Sequence, residues 1–225
     1  MLNAAVNNNI DWCRKVCESH GTGEVRSEKL WGAHAEAPPY YPDIITSSRE
    51  ATAVDVMAFF GGTRRIGSVK DSFAKLDLSV HGFRQLFEAE WIFHPPVEGA
   101  NDLSSSWQTI RCREELDEWN RTCGLTGVIR LELLERADVK FFAGIVEGEA
   151  AGFSASAGAG VVGISNVWHA VEGNEELWPG ILKAASAAFP GMPLVGYERD
   201  ECLKDALAAG WRSAGPLRIW VADAA

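Results

Sequence analysis

The sequence predicts a mixed α/β protein built from two related halves, each a mostly antiparallel sheet flanked by helices, with the first half truncated. A repeat is the main reason: residues 54–93 and 182–221 share one order of helix, turn, strand, second helix, Gly–aromatic–Arg step and final strand. The steps Gly82-Phe83-Arg84 and Gly210-Trp211-Arg212 lie 128 residues apart, and the two copies align at this one offset without an insertion or deletion. A repeated supersecondary unit indicates related domains. Two sheets lying side by side would relate the halves by a pseudo-twofold axis.

A proline- and serine-rich segment predicts where the halves meet. It runs from Pro95-Pro96 through Gly99 to the three serines 104–106, a composition typical of a linker. We therefore expect a degenerate N-terminal domain at 1–97, a linker at 98–106 and a more complete C-terminal domain at 107–225.

Periodicity and turn residues define the elements of the first half. A short amphipathic helix is expected at 7–20, with Asn9 as its cap and Gly21 ending it. The proline-rich segment 37–43 is incompatible with a helix. The other predicted elements are a strand at 44–46, a helix at 50–60, a strand at 66–69, a second helix at 70–80 and a closing strand at 86–93.

The second half predicts an antiparallel meander between helices. Glu147-Gly148-Glu149 and Gly158-Ala159-Gly160 are turn sequences, and they separate three strands at hairpin spacing. Those strands are expected at 139–146, 150–156 and 161–168. The remaining elements are strands at 107–110, 194–197 and 217–221 and helices at 113–122, 175–189 and 199–209.

Composition narrows the function classes. The chain has 225 residues and a formal net charge of −10, which argues against nucleic acid and anionic lipid as partners and is compatible with a small amine substrate. Five cysteines without a C-x-x-C pair, and no signal-like or membrane-spanning run, predict a reduced cytoplasmic location. Nine tryptophans are many for this length, and exposed aromatic residues would suit a homodimer interface.

Two apparent ligand motifs have simpler interpretations. Residues 158–163 match G-x-G-x-x-G, but a strand-like run follows where a dinucleotide site needs a helix, so a glycine hairpin is favoured. Cys13, Cys17 and His20 have a spacing that suits metal ligands, although apolar core positions with a C-terminal histidine are the favoured interpretation. No metal is predicted.

The order of elements in the second half resembles the GNAT superfamily of acyl-CoA-dependent N-acetyltransferases. The resemblance covers about residues 107–221. It is strongest at 194–221, which contains Leu-Val-Gly-Tyr-Glu, Leu-Lys-Asp-Ala-Leu-Ala-Ala-Gly-Trp and Leu-Arg-Ile-Trp-Val. With Ser-Val-Lys-Asp-Ser-Phe-Ala at 68–74 and Leu-Phe-Glu-Ala-Glu-Trp-Ile at 86–92, the whole chain is similar to an uncharacterised bacterial group of GNAT-like proteins with a degenerate N-terminal half.

The resemblance implies acetyl-CoA as the donor and a small amine or amino-terminal group as the acceptor. By that resemblance, Asn166, Val167 and Trp168 occupy the position that pairs with the pantetheine arm. The following loop, with Gly173 and Asn174, would hold the pyrophosphate through exposed N–H groups and a helix N-terminus.

The same resemblance places a proton acceptor near the splayed strands. Glu198 is the predicted base and His169 the reserve. An equally favoured role for Glu198 is structural, as a surface carboxylate that caps the helix beginning at Arg199. Lys70 occupies the position equivalent to Glu198 in the first copy, so an active site is expected in the second half, with the first half supporting it.

Two departures from the family pattern support a second hypothesis. The loop at 169–176 has one glycine and three glutamates, whose charge would repel a pyrophosphate. The position of the tyrosine that often protonates the departing thiolate holds Ala206 here, and Leu78 in the first copy. The alternative function is therefore a catalytically inactive GNAT-fold protein that binds a ligand or a partner.

Overall fold

An open sheet of eleven strands organises the protein, and five α-helices pack on it within the part of the chain described, residues 1–97, 106–170 and 175–223. This description comes from a computed structural model. Most neighbouring strands are antiparallel, so the predicted mixed α/β class with a mostly antiparallel sheet is confirmed.

The elements follow the chain in two series. The first is α1 (Leu2–Ser19), β1 (Glu24–Arg26), β2 (Leu30–Ala33), β3 (Ile44–Thr46), α2 (Ala53–Ala58), β4 (Ser68–Asp71) and β5 (Phe83–His94). The second is β6 (Trp107–Thr109), α3 (Arg113–Thr122), β7 (Val139–Val146), β8 (Glu149–Gly158), β9 (Val161–His169), α4 (Leu177–Ala188), β10 (Leu194–Glu198), α5 (Asp200–Ala208) and β11 (Arg212–Ala222). The meander and α3 lie within two residues of their predicted bounds.

The two halves exchange their last strands. The sheet order is β1-β2-β3-β4-β11-β5-β10-β9-β8-β7-β6, so β11 lies between β4 and β5, and β5 lies between β11 and β10. Each half repeats a three-stranded meander, a helix and a parallel strand before its long final strand. The halves therefore share one sheet, where two sheets side by side were expected. The domain limits stay a prediction, and residues 98–105 of the expected linker lie outside the described residues.

The predicted second helix at 70–80 is wrong. Lys70 and Asp71 complete β4 by pairing with β11, which supplies hydrogen bonds that a helix would have to replace. The Asp71 carboxylate then accepts backbone N–H bonds from Phe73 at 3.3 Å and Leu76 at 2.7 Å. Such local side-chain bonds stabilise a turn at the expense of a helix. Long-range strand pairing and this turn therefore override the helical spacing of apolar residues.

Helix α1 belongs to the first half but packs mainly on strands β8 and β9 of the second. Asn8, which is buried, donates to the carbonyl oxygens of Ser156 at 2.8 Å and Gly158 at 3.2 Å. Gly163 makes this approach possible, since a Cβ there would lie 1.8 Å from Asn8 Oδ1. The expected cap at Asn9 is wrong, because the helix begins five residues earlier than predicted and buries Asn9 inside it.

The tryptophans fill the core. Eight of the nine are buried, and Trp168 is partly buried. Each such ring removes a large apolar area from water, which stabilises the fold. The homodimer stays a prediction, and its interface would have to use other side chains.

The described ranges contain neither a membrane-spanning helix nor a metal-binding cluster. No helix there is long and apolar enough to cross a membrane. Neither do His, Cys, Asp and Glu side chains there form a group of three or more that could hold a metal ion. Cys13 and Cys17 are buried in the core, and the His20 ring lies 2.7 Å from the carbonyl oxygen of Val128.

Candidate functional site

Strands β9 and β10 start together and then separate. Their parallel pairing joins Leu194 to Val162 and Val195 to Gly163, and within the described residues it goes no further. Gly196 allows the last close approach, because a Cβ there would lie 3.2 Å from the carbonyl oxygen of Ile164. Beyond Gly163, β9 therefore has an edge that faces a gap in an otherwise continuous sheet.

A bulge in β9 widens this gap. Asn166 and Val167 together lie opposite one residue of β8, between the pairs Ser154–Ser165 and Gly152–Trp168. Asn166 has a φ of 54°, a left-handed conformation that asparagine tolerates better than most residues. Bulges of this kind bend a strand and redirect its side chains, and they are common beside functional sites.

A cavity of about 240 Å³ lies at the separation. Both halves of the chain line it, and the first half was expected only to support a site in the second. The second half contributes residues 164–167, Tyr197 and Glu198, and the first half contributes Asn9, Trp12, Cys13, residues 40–42 and Lys70.

Glu198 presents a carboxyl group to this cavity from the end of β10. Its side chain is partly buried, and desolvation raises its pKa to about 8, an effect that the charge of Arg199 only partly opposes. The described residues form no hydrogen bond to it. The alternative role as a helix cap is not supported, because α5 begins at Asp200 with Arg199 in the capping position and no side-chain cap. A carboxyl with a pKa near neutrality can exchange a proton with an amine.

Lys70 presents a positive charge to the same cavity from β4. The residue is 3% exposed, and its Nζ donates to Asn9 Oδ1 at 2.8 Å. The ammonium also lies 4.3 Å from the centre of the Tyr197 ring. Sequence reasoning missed Lys70 because it was assigned to the start of a helix, although its place at the position equivalent to Glu198 was a signal.

Tyr41 is a second residue that sequence reasoning missed. Its hydroxyl lies 3.5 Å from both amide atoms of Asn166, and the Ser154 hydroxyl is 3.4 Å from Asn166 Oδ1. Burial raises the pKa of the Tyr41 hydroxyl, so this group keeps its proton at neutral pH. The sequence signal for this residue was the Pro-Pro-Tyr-Tyr-Pro run at 38–42, whose prolines exclude a helix and which contains two aromatic residues.

The other predicted site residues lie elsewhere. Val167 and Asn166 line the cavity, whereas Trp168 packs over Gly152 and faces a separate groove of about 440 Å³. His169 Nε2 lies 3.3 Å from the carbonyl oxygen of Val146 on β7, and the residue does not line the cavity. The predicted pyrophosphate residues Gly173 and Asn174 lie outside the described residues.

Comparisons with known proteins show the fold. No protein-family model matches the sequence, and no curated protein matches it. A conserved protein of unknown function from Staphylococcus epidermidis superimposes with a TM-score of 0.59 at 10% identity, over 89% of this chain and 93% of that one. A protein from Novosphingobium aromaticivorans, provisionally assigned as an acetyltransferase of the GNAT family, superimposes with a TM-score of 0.55 at 12% identity, over 95% of this chain and 99% of that one. The chain therefore has a fold similar to that of a protein placed in the GNAT family.

Proposed function

We propose that this protein is an acyl-CoA-dependent N-acetyltransferase, with acetyl-CoA as the donor and a small amine or amino-terminal group as the acceptor. The observation that carries the proposal is the cavity where β9 and β10 separate, because it combines an unpaired strand edge with a carboxyl whose pKa is raised to about 8. The similarity in fold to a protein assigned to the GNAT family supports it.

The strand edge suits the donor. Beyond Gly163, β9 has no strand beside it on the cavity side within the described residues, and its backbone groups need hydrogen-bond partners. The amides of a pantetheine arm can take the place of the missing strand. Asn166 and Val167 would contact the arm near the thioester, while Trp168, Gly173 and Asn174 stay predictions for its outer part and the pyrophosphate.

The cavity groups suit direct attack by the amine. The amine nitrogen forms a bond to the thioester carbonyl carbon, and the carbon–sulfur bond then breaks. Glu198 accepts the proton that the nitrogen loses. The Tyr41 hydroxyl, held beside Asn166 on the cavity wall, can donate a hydrogen bond to the departing thiolate. The thiolate takes its proton from water, because burial makes the Tyr41 hydroxyl a weaker acid than the thiol. His169 is a weaker candidate base because its ring contacts Val146.

Calorimetric titration of acetyl-CoA into the purified protein tests the donor. We expect saturable binding, and an absence of heat at millimolar acetyl-CoA would refute the proposal. Transfer to an amine panel, followed by mass spectrometry, tests the base. Glu198→Gln should keep acetyl-CoA affinity and lose at least about 100-fold in transfer rate, whereas Glu201→Gln, on the exposed face of α5, should behave as wild type. Unchanged transfer in Glu198→Gln would remove Glu198 from the mechanism.

One observation favours a second candidate, a protein of this fold that binds a ligand without turning it over. Ala206 on α5 is buried and stands where the family has its tyrosine, so α5 offers no hydroxyl to a leaving thiolate. Acetyl-CoA binding without any transfer, unaffected by Tyr41→Phe, would favour this candidate.

A further inference from the structure

Lys70 differs from every other part of the cavity wall in carrying a buried charge without an opposite charge beside it. We infer that the cavity binds the carboxylate of its acceptor at Lys70, so the acceptor is a small amine that also carries a carboxylate, such as an amino acid. This inference rests on the proposed function and specifies its substrate class.

The surroundings of Lys70 leave its ammonium undersatisfied. An ammonium has three N–H donors, and the described residues give Nζ one acceptor, the neutral Asn9 amide at 2.8 Å. The rings of Tyr197 and Trp91 lie 4.3 Å and 5.9 Å from it and supply weaker cation–π contacts. No carboxylate of the described chain lies within ion-pair distance of Lys70.

A second buried lysine shows how the same chain satisfies an ammonium that needs no ligand. Lys15 Nζ lies 2.7 Å from an oxygen of Asp11 and 2.9 Å from one of Asp138, and it also donates to Ser156 Oγ at 2.9 Å. Lys15 and Lys70 are 2% and 3% exposed, so they are buried to nearly the same extent. Within the described residues, only Lys15 has carboxylates at ion-pair distance. A buried charge without a partner of opposite charge is costly. A carboxylate of the bound ligand would provide this opposite charge at Lys70.

The size and charges of the cavity limit that ligand. At about 240 Å³ it is smaller than the roughly 300–1,000 Å³ typical of sites for drug-sized ligands. Glu198 and Lys70 both line it, so an amine can meet the carboxyl while a carboxylate meets the ammonium. The donor pyrophosphate is a poorer candidate for Lys70, because its expected loop follows β9 whereas Lys70 lies on β4.

The test measures binding without turnover. Each of the twenty amino acids and its carboxamide, which keeps the amine and loses the carboxylate, is titrated calorimetrically into the protein, and acetyl-CoA is titrated separately. We expect at least one amino acid to bind and its carboxamide to bind about 10- to 100-fold more weakly. Lys70→Met should weaken binding of the amino acid by a similar factor. Lys75→Met, a matched change on the exposed surface five residues away, should leave it unaltered.

Several results would overturn the inference that Lys70 binds the acceptor carboxylate. It is overturned if no amino acid binds, if the carboxamide binds equally well, or if Lys70→Met keeps the affinity. It is also overturned if Lys70→Met weakens only acetyl-CoA, since Lys70 would then serve the donor. Should Lys70→Met fail to fold, Lys70→Gln, which can still donate to Asn9, replaces it. Acetyl-CoA binding with no amino acid binding refutes this inference alone, whereas Lys70-dependent amino acid binding without acetyl-CoA binding refutes the proposed transferase and keeps the carboxylate site.

Discussion

Replacing Glu198 by glutamine is expected to stabilise the protein at alkaline pH while it removes activity. Desolvation raises the pKa of this carboxyl from the ordinary value of 4.5 to about 8. Between those pH values the folded state holds a proton that the unfolded chain has lost, so the free energy of unfolding falls as the pH rises. Glutamine cannot ionise, and the Glu198→Gln variant escapes this loss.

The size of the effect follows from the pKa difference. Each pKa unit corresponds to about 1.4 kcal/mol, so a rise from 4.5 to about 8 sets an upper limit of about 5 kcal/mol, reached above pH 8. Residual solvent contact and local relaxation reduce this figure. We therefore expect Glu198→Gln to exceed wild type by about 1–3 kcal/mol at pH 9 and by almost nothing at pH 5.

Urea denaturation followed by tryptophan fluorescence from pH 5 to pH 9 measures the difference. The charged groups near Glu198 are Arg199, the cross-strand partner Glu90 and Lys70 across the cavity, and all three are present in both proteins. Glu201→Gln serves as the control and should show no pH-dependent gain. A difference between Glu198→Gln and wild type that stays constant from pH 5 to pH 9 would refute a raised pKa at Glu198.

Three further predictions concern α1, the cavity wall and the cysteines. Asn8→Ala leaves buried carbonyl oxygens without their donor and should lower the free energy of unfolding, measured in urea, by about 1–3 kcal/mol. Gly163→Ala should destabilise the wild-type protein, because the new Cβ meets the Asn8 side chain. The same substitution should destabilise the Asn8→Ala variant less. Tyr41→Phe should fold normally and lower kcat by about 10- to 100-fold with little change in acetyl-CoA affinity, and an unchanged kcat would exclude a hydrogen bond from Tyr41 to the thiolate. Burial raises the pKa of the Cys13 and Cys17 thiols to about 11 and about 12, so iodoacetamide at pH 8 should spare both in the native protein, as judged by mass spectrometry. Under the same conditions it should modify the two exposed cysteines, Cys112 and Cys202.

Local signals were sufficient for the meander and for several helices. The turn glycines at 148 and 160 have positive φ values of 87° and 75°, which is the reason glycine marks those turns in the sequence. The apolar spacing of α3 places Leu116 and Trp119 in the core. In these segments the local preference and the tertiary contacts agree, so periodicity alone predicts the element.

The composition of the site was only partly predictable. Glu198, Asn166 and Val167 were identified through the resemblance, and all three line the cavity. Lys70 and Tyr41 were missed because their roles depend on the strand exchange and on the packing of α1 against β9, which have no local signature. Trp168 and His169 follow the bulge directly, and a one-residue irregularity redirects each side chain after it.

The first half keeps the equivalent pair of strands together for longer. Its parallel strands β3 and β4 correspond to β9 and β10, but their pairing runs through Ile45 and Lys70, and the next N–H, from Ser72, is bound 2.8 Å from Thr46 Oγ1. The strand edge that would receive a ligand is therefore already occupied by the chain itself. Lys70 lies on β4, where the strands of the first half remain paired, and its side chain lines the cavity between β9 and β10. The cavity therefore has a carboxyl on β10 and an ammonium on β4, which matches the proposed ligand with an amine at one end and a carboxylate at the other.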